Sequence, residues 1–189
     1  MLALAAITLV VTASRAGALG AVTLALGVLA ALVACARRRD ALFAIARGID
    51  WPIVVLTMGL FVIVEALDLA GAAALPRALF AWAAHAVQPL AQLAVAGAAA
   101  AASNAANNLP VGLELGRFVA GAHPPTPLAS AALLGVNIGP NFSVNGSLAT
   151  VLWLAIVHRA GVRVSPLQFA AVGALATPIA LGSAALLAR

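Results

Sequence analysis

The chain contains six asparagines, and all of them fall in two places. Asn104, Asn107 and Asn108 lie in "SNAANNLP", and Asn137, Asn141 and Asn145 lie in "GVNIGPNFSVNGS". Each amide offers two N–H donors and a carbonyl acceptor without a net charge. The flanking sequence is apolar, where an unpartnered amide is costly. Two readings follow. The amides gather uncharged donors around a small polar solute, or they join helix to helix by hydrogen bonds. The asparagines coincide with backbone breakers: Pro110 in the first group, and Gly139, Pro140 and Gly146 in the second. Joining two helices requires no broken backbone, so the coincidence favours the solute reading. The candidate binding set is Ser103, Asn104, Asn107 and Asn108 with Asn137, Gly139, Asn141, Ser143, Asn145 and Gly146.

A second candidate is Glu65, inside "LFVIVEALDLAG". A carboxylate within an apolar span is a proton-relay candidate. It lies about 20 Å along its helix from Pro52. That also places it in the outer third of a ~30 Å hydrocarbon core, where an interfacial carboxylate is the plainer reading. Asp68 follows at i+3. Glu114 and Arg117, also three apart, are expected to pair. Cys35 is a small apolar filler, and thiol ligation at the site is not expected. His85 and His123 read as solvated and lack metal-ligand spacing. No nucleophile–base set, phosphate loop or cysteine cluster suggests an enzyme, a metal or another cofactor.

The elements that must carry these groups are membrane helices. Of 189 residues, 65% are hydrophobic and 8% charged, which marks an integral membrane protein. The apolar runs are continuous rather than alternating, so the fold class is all-α. They fall at 2–14, 16–36, 51–71, 73–88, 89–112, 128–157 and 166–188. A full span needs about 20 residues, and 16–36, 51–71 and 166–188 meet that. Segment 2–14 is short, unless Arg15 snorkels. The N-terminus loosely resembles a signal peptide but lacks a positive n-region. Segment 73–88, with Arg77, Trp82 and His85, reads as an interfacial helix.

The two asparagine-bearing segments are the irregular ones. Segment 89–112 opens at Pro89 and closes at Pro110, with small residues between. It reads as a re-entrant hairpin with the polar residues at its tip, although one straight helix is the alternative. Segment 128–157 is too long for one untilted span and contains Pro140. It reads as half-helices 128–138 and 146–157 joined by an unwound stretch, a device by which transporters build sites at the bilayer midplane. Positive charge sets the orientation. With the loop 37–50 inside, Arg37, Arg38, Arg39, Arg47, Arg159 and Arg163 are cytoplasmic, and four of the ten arginines (Arg15, Arg77, Arg117, Arg189) are outside. The loop 113–127 is then external, and Trp51 and Trp153 anchor the cytoplasmic interface.

"SNAANNLP" followed by "GVNIGPNFSVNGSLATVLWL" closely resembles the arsenical pump membrane protein family, ArsB-type permeases of the ion transporter superfamily. "DWPIVVLTMGLFVIVEALDLAG" resembles the family's stretch before its second hairpin. The resemblance runs from about residue 16 to the end. It implies two inverted repeats, each with a re-entrant hairpin and a broken helix, exporting arsenite or antimonite against proton entry. It adds Ser147 and Thr150 to the site beside the broken helix. Family members have roughly twice this length, and the chain matches their second half. The whole of 1–189 is then one membrane domain, the second repeat, and its partner is a first-repeat half or a second chain. The expected localisation is the bacterial inner membrane, multi-pass. An ATPase subunit is a further candidate partner, and nucleic acid is not one. Rival readings are a sodium/proton antiporter or a dicarboxylate carrier of the same superfamily, and a non-transporting membrane assembly subunit.

Overall fold

A computed structural model describes residues 19–38, 40–71 and 73–187. The apolar run 2–14 and residues Arg15, Arg39 and Arg189 lie outside the described residues. Among the described residues, regular structure is nine α-helices and two short 3-10 turns, with no strand. The chain divides at Pro52 into two compact units.

In the first unit, α1 (Leu19–Arg37) and α2 (Ala41–Gly48) are joined by a short turn. Arg38 and Asp40 pair across that turn at 3.0 Å. The segment expected to be a loop between Arg37 and Asp50 therefore holds a helix. Its run of Ala, Leu, Phe and Ile favours helix, and Arg47 lies one turn from Phe43, 4.3 Å from the ring centroid. Trp51 donates its indole N–H to the Ala46 carbonyl at 3.0 Å.

The second unit takes up the chain within α3 (Trp51–Leu69). It continues through α4 (Ala74–His85), α5 (Gln88–Ala106), α6 (Asn108–Ala122) and α7 (Thr126–Ile138). Two 3-10 turns follow, Gly139–Phe142 and Val144–Gly146. Then come α8 (Leu148–Arg159) and α9 (Pro166–Leu187). Trp51–Leu69 and Pro166–Ala184 are long and apolar enough to cross a membrane.

The core of this unit lies where α5 meets α7. Ala91, Val95, Ala96 and Ala100 of α5 pack on Leu128, Ala131 and Ala132 of α7, with Phe80 and Ala83 of α4 and Leu181 of α9. Small residues let the helix backbones approach closely. Gly135 of α7 shows how closely: a Cβ there would stand 2.7 Å from the Ala99 Cβ and would strike the Ala96 carbonyl.

The helix after the first asparagine group is longer than the sequence suggests. Pro110 does not close it. Pro110 sits buried in the first turn of α6, where a missing N–H disturbs no helical hydrogen bond. The helix then runs to Ala122 and ends at His123, whose φ of 46° is left-handed. Residues 113–122, expected to be loop, are therefore helical. Phe118 on this helix packs at a tilt against Phe80 of α4, with centroids 5.0 Å apart and ring planes at 56°.

Candidate functional site

Asn107 is the single residue between α5 and α6. Its φ of 70° and ψ of 148° lie in a region otherwise occupied almost entirely by glycine. The side chain supports this turn twice. Its Oδ1 accepts from the Leu109 N–H at 3.3 Å, capping α6. Its Nδ2 donates to the Asn145 carbonyl at 3.0 Å, across to the second 3-10 turn. Asn107 is 3% exposed.

Asn104 lies one turn earlier, near the end of α5. Its Nδ2 donates to the Ala100 carbonyl and to the Gly139 carbonyl, both at 2.8 Å. Its Oδ1 accepts from the Ser143 hydroxyl at 2.6 Å. One amide thus ties the end of α5 to both ends of the first 3-10 turn. The glycines permit the approach. A Cβ on Gly139 would collide with Cα and Cβ of Ala100, and one on Gly146 would stand 2.9 Å from Asn104 Oδ1. Ser147 lies just beyond and caps α8, accepting from the Ala149 N–H at 3.2 Å.

The remaining polar groups are arranged differently. Asn137 is exposed and donates to the Leu133 carbonyl one turn back, at 2.7 Å. Asn141 is exposed and donates to the Ile138 carbonyl at 2.9 Å. Neither side chain reaches the α5–α6 junction by a hydrogen bond. Asn108 and Thr150 are half-buried and Asn145 is exposed. The Ser103 hydroxyl is fully buried without a hydrogen-bond partner. The structure therefore joins Asn104, Asn107, Gly139, Ser143, Gly146 and the Asn145 backbone, with Ser103 buried beside them on α5. It turns the Asn137 and Asn141 side chains outward.

Sequence reasoning passed over α9. Gly173, Thr177 and Leu181 recur every four residues and are all buried. A Cβ on Gly173 would strike the Asn141 carbonyl, so α9 backs the first 3-10 turn. Thr177 carries a second buried hydroxyl without a partner. The four-residue repeat of small, polar and apolar side chains was the available signal.

Glu65 stands apart from the asparagines. Its Oε2 is 3.3 Å from Arg117 Nη1, and the same nitrogen is 2.6 Å from Glu114 Oε1. The Glu114–Arg117 pair matches its i, i+3 spacing; the third member comes from a different helix.

No ionised side chain takes part in the hydrogen bonds at the junction. Among the described residues no group of His, Cys, Asp and Glu could hold a metal. Two helices long and apolar enough to cross a membrane, beside a neutral, hydrogen-bonded break between α7 and α8, fit an all-helical membrane protein. The sequence model of the arsenical pump membrane protein family matches residues 4–186, and the chain belongs to that family. No curated protein and no solved structure gives a match.

Proposed function

We propose that this chain supplies one half of a permease that exports arsenite or antimonite across the bacterial inner membrane, by alternating access coupled to proton entry. In this reading α5 and the start of α6 form a re-entrant hairpin. The helix α7–α8 is a transmembrane helix broken at residues 139–147, and Glu65 carries the proton. The observation that supports it is the docking of Asn104 onto Gly139 and Ser143. That docking seats the 3-10 turns against the end of α5, and in this reading the amides of Asn108 and Asn145 and the hydroxyl of Thr150 meet the solute beside them. Trivalent arsenic in neutral water is an uncharged trihydroxide, and neutral donors and acceptors match it without a charge to desolvate. Outward-facing Asn137 and Asn141 await the complementary groups of a first-repeat half or a second chain, since amides at membrane depth are costly against lipid.

The test is arsenite accumulation in everted membrane vesicles carrying the complete transporter, with thermal stability measured on the same protein. Asn108→Ala and Asn145→Ala together should reduce uptake at least tenfold while leaving stability unchanged. Normal uptake by the double variant would remove the solute assignment. Uptake requiring sodium, or competing with dicarboxylates rather than antimonite, would move the chain to one of its rival transport classes.

A further inference from the structure

Helix α3 gives way to α4 at a turn through Gly71, whose φ of 90° is left-handed. Residues on both sides of that turn line an apolar cavity of about 840 Å³. Val64 and Leu67 of α3 form one wall, and Ala102 and Ala105 of α5 with Leu115 of α6 form the others. Both alanines are exposed, and their short side chains leave the space open. Helix α3 has no buried residue, so its apolar side chains meet the cavity and the membrane rather than a packed core.

The charged residues that line the cavity are Asp68, Arg77, Glu114 and Arg117. Glu114 and Arg117 satisfy each other at 2.6 Å, and Arg117 also meets Glu65 at 3.3 Å. Asp68 and Arg77 are left. They flank the same turn and are of opposite sign, yet they form no ion pair with each other. Among the described residues, neither side chain has a hydrogen-bond or ion-pair partner. Asp68 lies in the last turn of α3, a helix long and apolar enough to cross a membrane, and Arg77 lies in the first turn of α4. The end of a spanning helix reaches headgroup depth. The two unpaired charges therefore stand at the interface, and the wall that runs back along α3 through Val64 leads into hydrocarbon.

We propose that this cavity binds a zwitterionic aminophospholipid of the surrounding membrane, with one acyl chain between α3, α5 and α6, its phosphate on Arg77 and its ammonium on Asp68. Apolar walls give water no hydrogen-bond partners, whereas a chain of methylenes suits them. The guanidinium presents its donors in a fork that matches phosphate, and a primary ammonium has N–H donors for a carboxylate. Charge decides the headgroup. The lining carries as many carboxylates as guanidiniums, and Glu65 adds another carboxylate beside Arg117. A purely anionic headgroup would find no surplus of positive charge there. A quaternary ammonium would offer Asp68 no N–H. Which solute the asparagine junction serves has no bearing on this site.

The test places the full chain in lipid nanodiscs with phosphatidylethanolamine that carries a photoreactive diazirine on one acyl chain. After illumination, peptide mass spectrometry should find the label concentrated at Ala102, Ala105 and Leu115. It should be sparser at Val55 and Val62, which are exposed on α3 and do not line the cavity. Arg77→Gln and Asp68→Asn should each lower the cavity label severalfold and leave the label at Val55 and Val62 unchanged. The same probe with a choline or a glycerol headgroup should label the cavity severalfold less. Ala102→Phe should keep the acyl chain out. Ala102 is exposed, so the larger side chain fills the cavity without disturbing the core, and thermal unfolding checks that. The label map of the unaltered protein decides the question even where a variant fails to fold. A label spread evenly over α3, α5 and α6 would mean bulk lipid alone and would overturn the site. Equal labelling by all three headgroups would overturn the roles of Asp68 and Arg77. A cavity without label would overturn the lipid, and a dimer in native mass spectrometry would then name a second copy of the chain as the occupant.

Discussion

The α5–α6 junction and the stretch from the end of α7 to the start of α8 each carry three asparagines, and they use them in opposite ways. At the end of α5, Asn104 and Asn107 send their amides across to the carbonyls of Gly139 and Asn145. In the broken stretch, Asn137 and Asn141 bond only to their own preceding turns. The first pair is buried or half-buried, and the second is exposed. Residue type alone therefore does not assign a role. Asn104 and Asn107 brace the junction, which is the helix-joining reading of an amide. The exposed ones satisfy one donor locally and leave the rest of the amide available. Bracing amides and outward-facing amides thus coexist in one constellation, with the braces holding the irregular backbone that follows Asn137 and carries Asn141.

The largest break in this comparison comes from the glycine beneath the brace. A side chain on Gly139 meets Cα as well as Cβ of Ala100, and backbone cannot rotate away as a flexible side chain could. Overpacking typically costs about 1–3 kcal/mol, and Gly139→Val should reach or exceed that upper end. The expected outcome is a protein that inserts but unfolds at markedly lower temperature in detergent, with transport lost. Ala100→Gly should recover part of the loss. A Gly139→Val protein as stable as the parent would show that α5 does not seat on the 3-10 turn.

Asn104→Ala should have the next largest effect. It removes a donor from the Gly139 carbonyl and an acceptor from the Ser143 hydroxyl. Stranding such groups costs about 1–3 kcal/mol. Asn104→Asp should be worse than Ala, because a carboxylate would face the Ala100 and Gly139 carbonyls that the amide now donates to. Thermal unfolding of the two variants side by side checks the order. If Asn104→Ala instead kept full stability and lost only transport, the residue would be a solute ligand rather than a brace.

The sequence reveals interruptions better than partners. Pro140, with Gly139 and Gly146 about it, marks where helix cannot continue, and α7 ends at Ile138 while α8 begins at Leu148. Local chemistry decides that, so local sequence shows it. Pro110 misleads because proline is compatible with a first turn as well as with a stop, and the choice depends on where the helix begins. The start of α6 depends on Asn107, whose strained turn is supported by a carbonyl 38 residues away. The Glu65–Arg117 contact joins residues 52 apart, and no spacing rule foresees it. The family resemblance supplied Ser147 as a site residue, and in the structure its hydroxyl caps α8. The direction in which each asparagine points was not legible, because all six sit in similar surroundings and differ only in what the fold places opposite them.

The smallest expected effect on stability is the sharpest test of the comparison. Asn137 and Asn141 each make one hydrogen bond back to a carbonyl in their own preceding turn, so removing the amide strands no distant partner. Asn137 lies within α7, where alanine is the better helix former by a few tenths of a kcal/mol. Asn137→Ala should therefore leave the unfolding temperature unchanged or slightly raised. Asn141→Ala should be close to neutral, since Asn141 touches α9 through its backbone rather than its amide. If the exposed amides meet solute or a partner chain, transport should nonetheless fall severalfold for each. The two quantities then separate: Asn104 changes stability and transport together, whereas Asn137 and Asn141 change transport alone. A loss of stability at Asn137 comparable with that at Asn104 would erase the distinction, because it would mean that the outward amides are braces too, acting on a surface that a second chain or repeat covers.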